Sequence, residues 1–127
     1  MKTREGSPDD WMFFAKERLR AADLLESAGG PSLSGIELLQ ESVERFLKGW
    51  LVARGWQLQK VHDLSHLLEE CVRREPRFEA FQDLADSLTE QFWAQHYPGA
   101  DISGVGSNYE TMRREVADLV ALISEPL

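Results

Sequence analysis

Residues Ser34 to Leu68 read SGIELLQESVERFLKGWLVARGWQLQKVHDLSHLL, and this stretch decides the fold. Ile36, Leu39, Val43, Phe46, Leu47, Trp50 and Leu51 recur at steps of three and four, which gathers them on one face of a helix. Glu37, Gln40, Glu41, Glu44 and Lys48 fall largely elsewhere on the same helix. Gly55 supplies a left-handed stop, and after a short connector His62-Asp63-Leu64 opens a second apolar run. An amphipathic helix, its termination and the start of the next helix are thus written consecutively.

Outward from this centre the same period continues. Ser7-Pro8-Asp9-Asp10 reads as a helix start: a serine cap, a proline where its missing N–H costs nothing, and acids at the positive helix end. Trp11, Phe14, Ala15, Arg18, Ala22 and Leu25 then follow helical spacing, with Leu19 and Leu24 widening the stripe, until Gly29-Gly30-Pro31. Ser34 and Glu37 predict a capping box for the second helix. Helix three is predicted over about 63–74, with Leu64, Leu67, Leu68 and Cys71 inward, and Pro76 separates it from helix four. Phe78, Phe81, Leu84, Ala85, Leu88 and Phe92 form the fourth stripe, expected to run to about His96 before Tyr97-Pro98-Gly99. After a glycine-containing loop, Ser107 and Glu110 predict a capping box for helix five, whose inner face is Tyr109, Met112, Val116, Leu119, Val120 and Ile123. No segment alternates with a period of two, so the expected fold is all-α, an up-and-down bundle of about five helices.

With 127 residues the chain is expected to form one domain over 1–127, with residues 1–7 as a flexible N-terminus. It contains 28% charged residues and no long apolar run, which excludes a membrane-spanning helix, and its charged first residues carry no export signal, so the expected location is the cytoplasm. The lone Cys71 cannot form an internal disulfide and is expected to be a buried thiol. A formal net charge of −8 argues against broad electrostatic binding to nucleic acid. Arg73, Arg74 and Arg77 alternate with Glu75 at a helix junction, the usual pattern of a solvated surface.

His62 and His66 lie four apart with Asp63 between them, as paired metal ligands do, but no third ligand stands at a usable spacing. The favoured reading is that His62 or Asp63 caps helix three and His66 sits at the surface; no metal and no cofactor is expected. The tryptophans Trp11, Trp50, Trp56 and Trp93 lie in or beside apolar stripes, which suits core or dimer-interface positions better than base stacking. Gly104-Val105-Gly106-Ser107 precedes a helix whose amides could hold an anion, although a plain loop explains it. Nothing identifies an activated serine or cysteine nucleophile.

Three segments carry a family resemblance. Glu41 to Gly55 (ESVERFLKGWLVARG), Val61-His62-Asp63-Leu64 with Leu67-Leu68, and His96-Tyr97-Pro98 together resemble the HEPN domain, the higher eukaryote and prokaryote nucleotide-binding domain. The resemblance covers nearly the whole chain. It implies a compact helical bundle, a homodimer, and a setting beside a minimal nucleotidyltransferase in a prokaryotic toxin–antitoxin or defence module. Many members are metal-independent ribonucleases that use an Arg followed, after four to six residues, by a His across a dimer. Here Gln91 stands where that Arg is needed before His96, and Arg54 is too far from His62 to replace it; in the related R-Y-P form of the motif, His96 itself takes the place of the Arg. A neutral amide is a poor substitute for a guanidinium facing phosphate charge.

Two functions follow from the resemblance. In the first, the chain is a nucleotide-binding or regulatory module with a degenerate ribonuclease motif, its nucleotide or RNA contacts drawn from Arg54, His62, Asp63 and His96. In the second it is a divergent ribonuclease toxin, with His96 as acid/base and Tyr97 beside it at a dimer cleft.

Overall fold

The computed structural model describes residues 1–96 and 98–126. Among them are five α-helices, α1 (Pro8–Gly29), α2 (Leu33–Ala53), α3 (Leu64–Arg74), α4 (Gln82–Ala94) and α5 (Tyr109–Ile123), with a 3-10 helix, Pro76–Phe81, between α3 and α4. No described residue lies in a strand, and no helix formed by them is long and apolar enough to cross a membrane. The all-α bundle agrees with the sequence reading.

The second helix is the axis of the bundle. Its apolar stripe is buried as the spacing requires, yet Gln40, Ser42, Glu44 and Lys48 are buried as well. This corrects the expectation that the polar residues of this helix face away from the core. The other four helices all pack against α2, so it has little solvent face to offer. On one side α1 runs antiparallel and close: Ser42 Oγ donates to the Ala15 carbonyl at 2.9 Å. A Cβ at Gly49 would stand 2.8 Å from Met12 Cε and 3.0 Å from Trp11 Cβ, so glycine is what permits this approach.

Helix ends explain where the sequence reading slipped. Ser32, rather than Ser34, caps α2 by accepting from Gly35 N, so the helix starts at Leu33 and the Ser34–Glu37 box does not form. Both serines satisfy the cap rule; the proline at 31 and the packing of the preceding turn select the first. The stop at Gly55 is as expected, with φ +84, Gly55 N donating to Val52 O and Trp56 N to Leu51 O. This is a Schellman closure, and it buries Trp56 against the end of α2. Asp63 caps α3 through Ser65 N at 2.9 Å, one of the two candidates read from the sequence.

The fourth apolar stripe is split. Phe78 and Phe81 belong to the 3-10 helix and only Leu84 onward is α-helical, because Pro76 follows α3 after one residue and leaves no room for a full α-helical restart. α4 ends at Ala94, short of His96. α5 starts after Asn108, and the Ser107–Glu110 box is absent. Cys71 is fully buried, and burial pushes its thiol up to about 12. Arg73, Arg74 and Arg77 are held by Glu70, Glu75 and Glu125 at the surface, as a solvated charge pattern should be.

Candidate functional site

Two polar clusters flank α4, and together they account for most of the residues that the sequence singled out. The first faces α5 and is organised by Gln91. Its Oε1 accepts from Gly106 N at 2.7 Å, while its Nε2 donates to Asn108 Oδ1 at 2.8 Å and Ser87 Oγ at 3.1 Å. Asn108 Nδ2 in turn donates to Ser87 Oγ at 2.9 Å. The loop before α5 is thereby pinned to α4. Gly106 takes φ +85, and a Cβ there would lie 3.0 Å from Pro31 Cβ, so the same loop is clamped against the α1–α2 turn. The Gly106 amide is committed to Gln91. Asn108 makes no cap for α5 because its side chain serves this cluster instead.

The second cluster lies on the opposite side of α4 and lines a cavity of about 560 Å³. One wall is α2, contributing Glu37, Gln40, Glu41, Glu44 and Arg45; His62 and Asp63 close the end; Thr89, Phe92 and Trp93 of α4 form the other wall. α2 and α4 run antiparallel here, shown by Gln95 Nε2 donating to the Leu33 carbonyl at 3.1 Å. The floor is a buried ion pair. Lys48 Nζ lies 3.0 Å from Glu44 Oε2, with side chains only 4% and 7% exposed. Lys48 also stands 5.6 Å from the Trp11 ring centroid, which gives that tryptophan a structural role. From the solvent side His62 Nδ1 approaches the same Glu44 Oε2 at 3.0 Å.

Nearer the start of α2, His96 Nε2 lies 3.1 Å from Glu37 Oε1, and its ring packs on Phe92 with centroids 4.4 Å apart. His62 and Asp63 thus line the cavity, and His96 stands at its edge through Glu37 and Phe92. Arg54 does not join them. It is ten residues beyond Glu44, about 15 Å along the helix, and it covers the Trp50 ring at 3.7 Å. Burial is the main cause that lowers its pKa. Trp50 itself packs edge-on against Phe78 inside the core. Tyr97, expected beside His96, lies outside the described residues. His66 is half-buried, and the described residues hold no group of three or more His, Cys, Asp or Glu side chains placed for a metal ion.

Reading the sequence alone missed Glu44, Lys48, Gln40 and Thr89. The first two carry a legible signal, an i, i+4 acid–base pair on the most apolar helix of the chain, where charge survives burial by pairing. Gln40 and Thr89 carry none. Among the described residues, Gln40 Oε1 and Thr89 Oγ1 are buried without a hydrogen-bond partner, and both residues line the cavity.

The cavity can accept hydrogen bonds and positive charge more readily than it can hold an anion. Four carboxylates line it, against Arg45 and His62. Arg18 and Arg45 both approach Glu41, at 3.2 and 3.9 Å, and so offset part of this charge. Gln91, which the family resemblance sets where an arginine would precede His96, is turned toward α5.

No curated protein and no solved structure matches the chain. A family model described as HEPN domain matches residues 8–125, which span all five helices and both polar clusters. Such membership supports a nucleotide-binding or ribonuclease-like module. The chain belongs to the HEPN domain family.

Proposed function

We propose that the protein is a nucleotide-binding or regulatory HEPN module that acts by binding rather than by cutting RNA. The observation that carries this reading is the state of Gln91. Its amide oxygen and nitrogen both serve the loop before α5, so position 91 neither carries a cation nor points toward His96. Cleavage of a phosphodiester develops charge on the phosphate, and an amide engaged elsewhere cannot stabilise it. The physiological setting in this reading is the cytoplasm, as a homodimer paired with a minimal nucleotidyltransferase in a two-component toxin–antitoxin or defence system.

RNA cleavage assays test the reading. The folded protein, incubated with varied tRNA and mRNA, leaves them intact. Cleavage that disappears in His96→Ala would contradict it. Light scattering checks the oligomer separately, with a mass of twice 14.5 kDa expected at micromolar concentration and a monomer counting against the dimer.

A second reading has one feature in its favour. The His96–Glu37 pair is exposed at the cavity rim, with side chains 41% and 37% accessible, and a carboxylate beside an imidazole is an arrangement suited to proton transfer. In that reading the chain is a divergent ribonuclease with His96 at a dimer cleft, and the same assay decides between the two.

A further inference from the structure

The cavity between α2, His62–Asp63 and α4 has more acceptors in its wall than the protein has donors to meet them. Gln40 is 6% exposed, and its Oε1 has no partner; Thr89 Oγ1 is likewise unpartnered. A carbonyl oxygen can only accept, so what is missing at Gln40 is a donor. Leaving such an acceptor unmade in a folded protein is costly, so it calls for a donor from a water, an ion or a ligand. The residue lines the cavity, and rotation about the broad terminal torsion of its side chain would turn the oxygen toward a ligand.

We propose that this cavity binds a guanidinium group, as carried by an arginine side chain. Charge favours a cation here: Glu37, Glu41, Glu44 and Asp63 line the cavity against Arg45 and His62. Shape separates guanidinium from ammonium. Phe92, whose ring already packs on His96, and Trp93 line one wall, where a planar cation meets aromatic carbon while its five N–H donors reach carboxylate and amide oxygens in its own plane. An ammonium offers no plane to stack. The imidazole of His62, 79% exposed, sits on Glu44 at the mouth of the cavity, where an entering N–H donor would displace or join it. At about 560 Å³ the space holds a whole arginine side chain with water around it. This assignment goes beyond the regulatory reading and stands on the cavity alone, so a ribonuclease result would leave it intact.

Titration calorimetry on the full chain tests it, with Nα-acetyl-arginine amide, the matching lysine and citrulline amides, and a short arginine-containing peptide as probes. The arginine amide should bind, the lysine amide about tenfold more weakly and the citrulline amide not at all, as loss of a charge-assisted contact requires. Asp63→Asn keeps a capping side chain for α3 but removes a charge, and Glu37→Gln does the same on α2; each should weaken binding about tenfold. Gln40→Leu should weaken binding while raising the melting temperature, a combination that a purely structural residue does not give. Tighter binding of the peptide than of the amide identifies a polypeptide as the source of the guanidinium, and equal binding identifies a small guanidinium compound. No binding of any arginine probe, equal binding of citrulline and arginine, or undiminished affinity in both charge variants would overturn the proposal.

Discussion

Gln91 and Gln40 carry the same amide and sit on neighbouring helices, yet their surroundings are opposite. Gln91 is only half-buried, and its oxygen and nitrogen are both bonded, to Gly106, Asn108 and Ser87. Gln40 is nearly inaccessible, and its oxygen has no partner. The difference separates a polar group that holds the fold from one that the fold leaves open. Position 91, where one alignment of the resemblance to the family's ribonuclease pattern would set an arginine, is occupied by a structural brace. Position 40, which no pattern marks, faces the cavity.

The comparison can be broken by substitution. The largest expected effect comes from the floor of the cavity: Lys48→Met leaves Glu44 buried with only His62 beside it and should cost about 3–5 kcal/mol in urea unfolding. Gln91→Leu removes the partners of the Gly106 amide and of Asn108 and should cost about 2–3 kcal/mol. Gln91→Arg should also destabilise, since a guanidinium cannot accept from Gly106 N, and so it should not be a simple restoration of a ribonuclease motif. Gly49→Ala forces a Cβ against Trp11 and Met12, a loss of about 1–3 kcal/mol partly offset by about 1 kcal/mol of helix propensity. A loss no larger than at an exposed glycine would show that α1 adjusts freely.

Cys71 gives the smallest and most local test. Its raised folded pKa, up to about 12 against an ordinary 9.0, means that burial of the neutral thiol stabilises the fold fully below about pH 9. That contribution fades as pH rises from 9 toward 12. Cys71→Ala should therefore flatten the alkaline part of the stability profile, and the native thiol should resist labelling at pH 8. Rapid labelling of folded protein would contradict its burial.

Much of the fold was legible because it is local. The stripes of α2, α3 and α5, the Gly55 stop and the Asp63 cap depend on residues within a few positions of one another, and periodicity and cap chemistry report such relations, whereas of the α1 stripe only Ala15 and Ala22 are buried and Leu25 is exposed. Choices between adjacent candidates were not legible: Ser32 against Ser34, and Ser107 against Asn108, are settled by what each side chain finds in space. The burial of Glu44 and Lys48 depends on four other helices surrounding α2. His62 was read correctly as standing near the start of α3, but its partner Glu44 is 18 residues earlier, and His96 meets Glu37 across 59. The open acceptor at Gln40 is a property of what is missing nearby, and no sequence pattern encodes that. Periodicity already implied the bundle and the family resemblance pointed to position 91, while the reason for the glutamine there became visible only with Gly106 and Asn108 beside it.

The two amides can be compared in a single measurement, equilibrium urea unfolding of Gln91→Leu and Gln40→Leu beside the unsubstituted protein. The account predicts opposite signs: Gln91→Leu less stable by about 2–3 kcal/mol, Gln40→Leu more stable by about 1 kcal/mol because an unmet acceptor is removed. Destabilisation of similar size in both would contradict it, because Gln40 would then be a second brace and the cavity would have no unmet acceptor to offer a ligand.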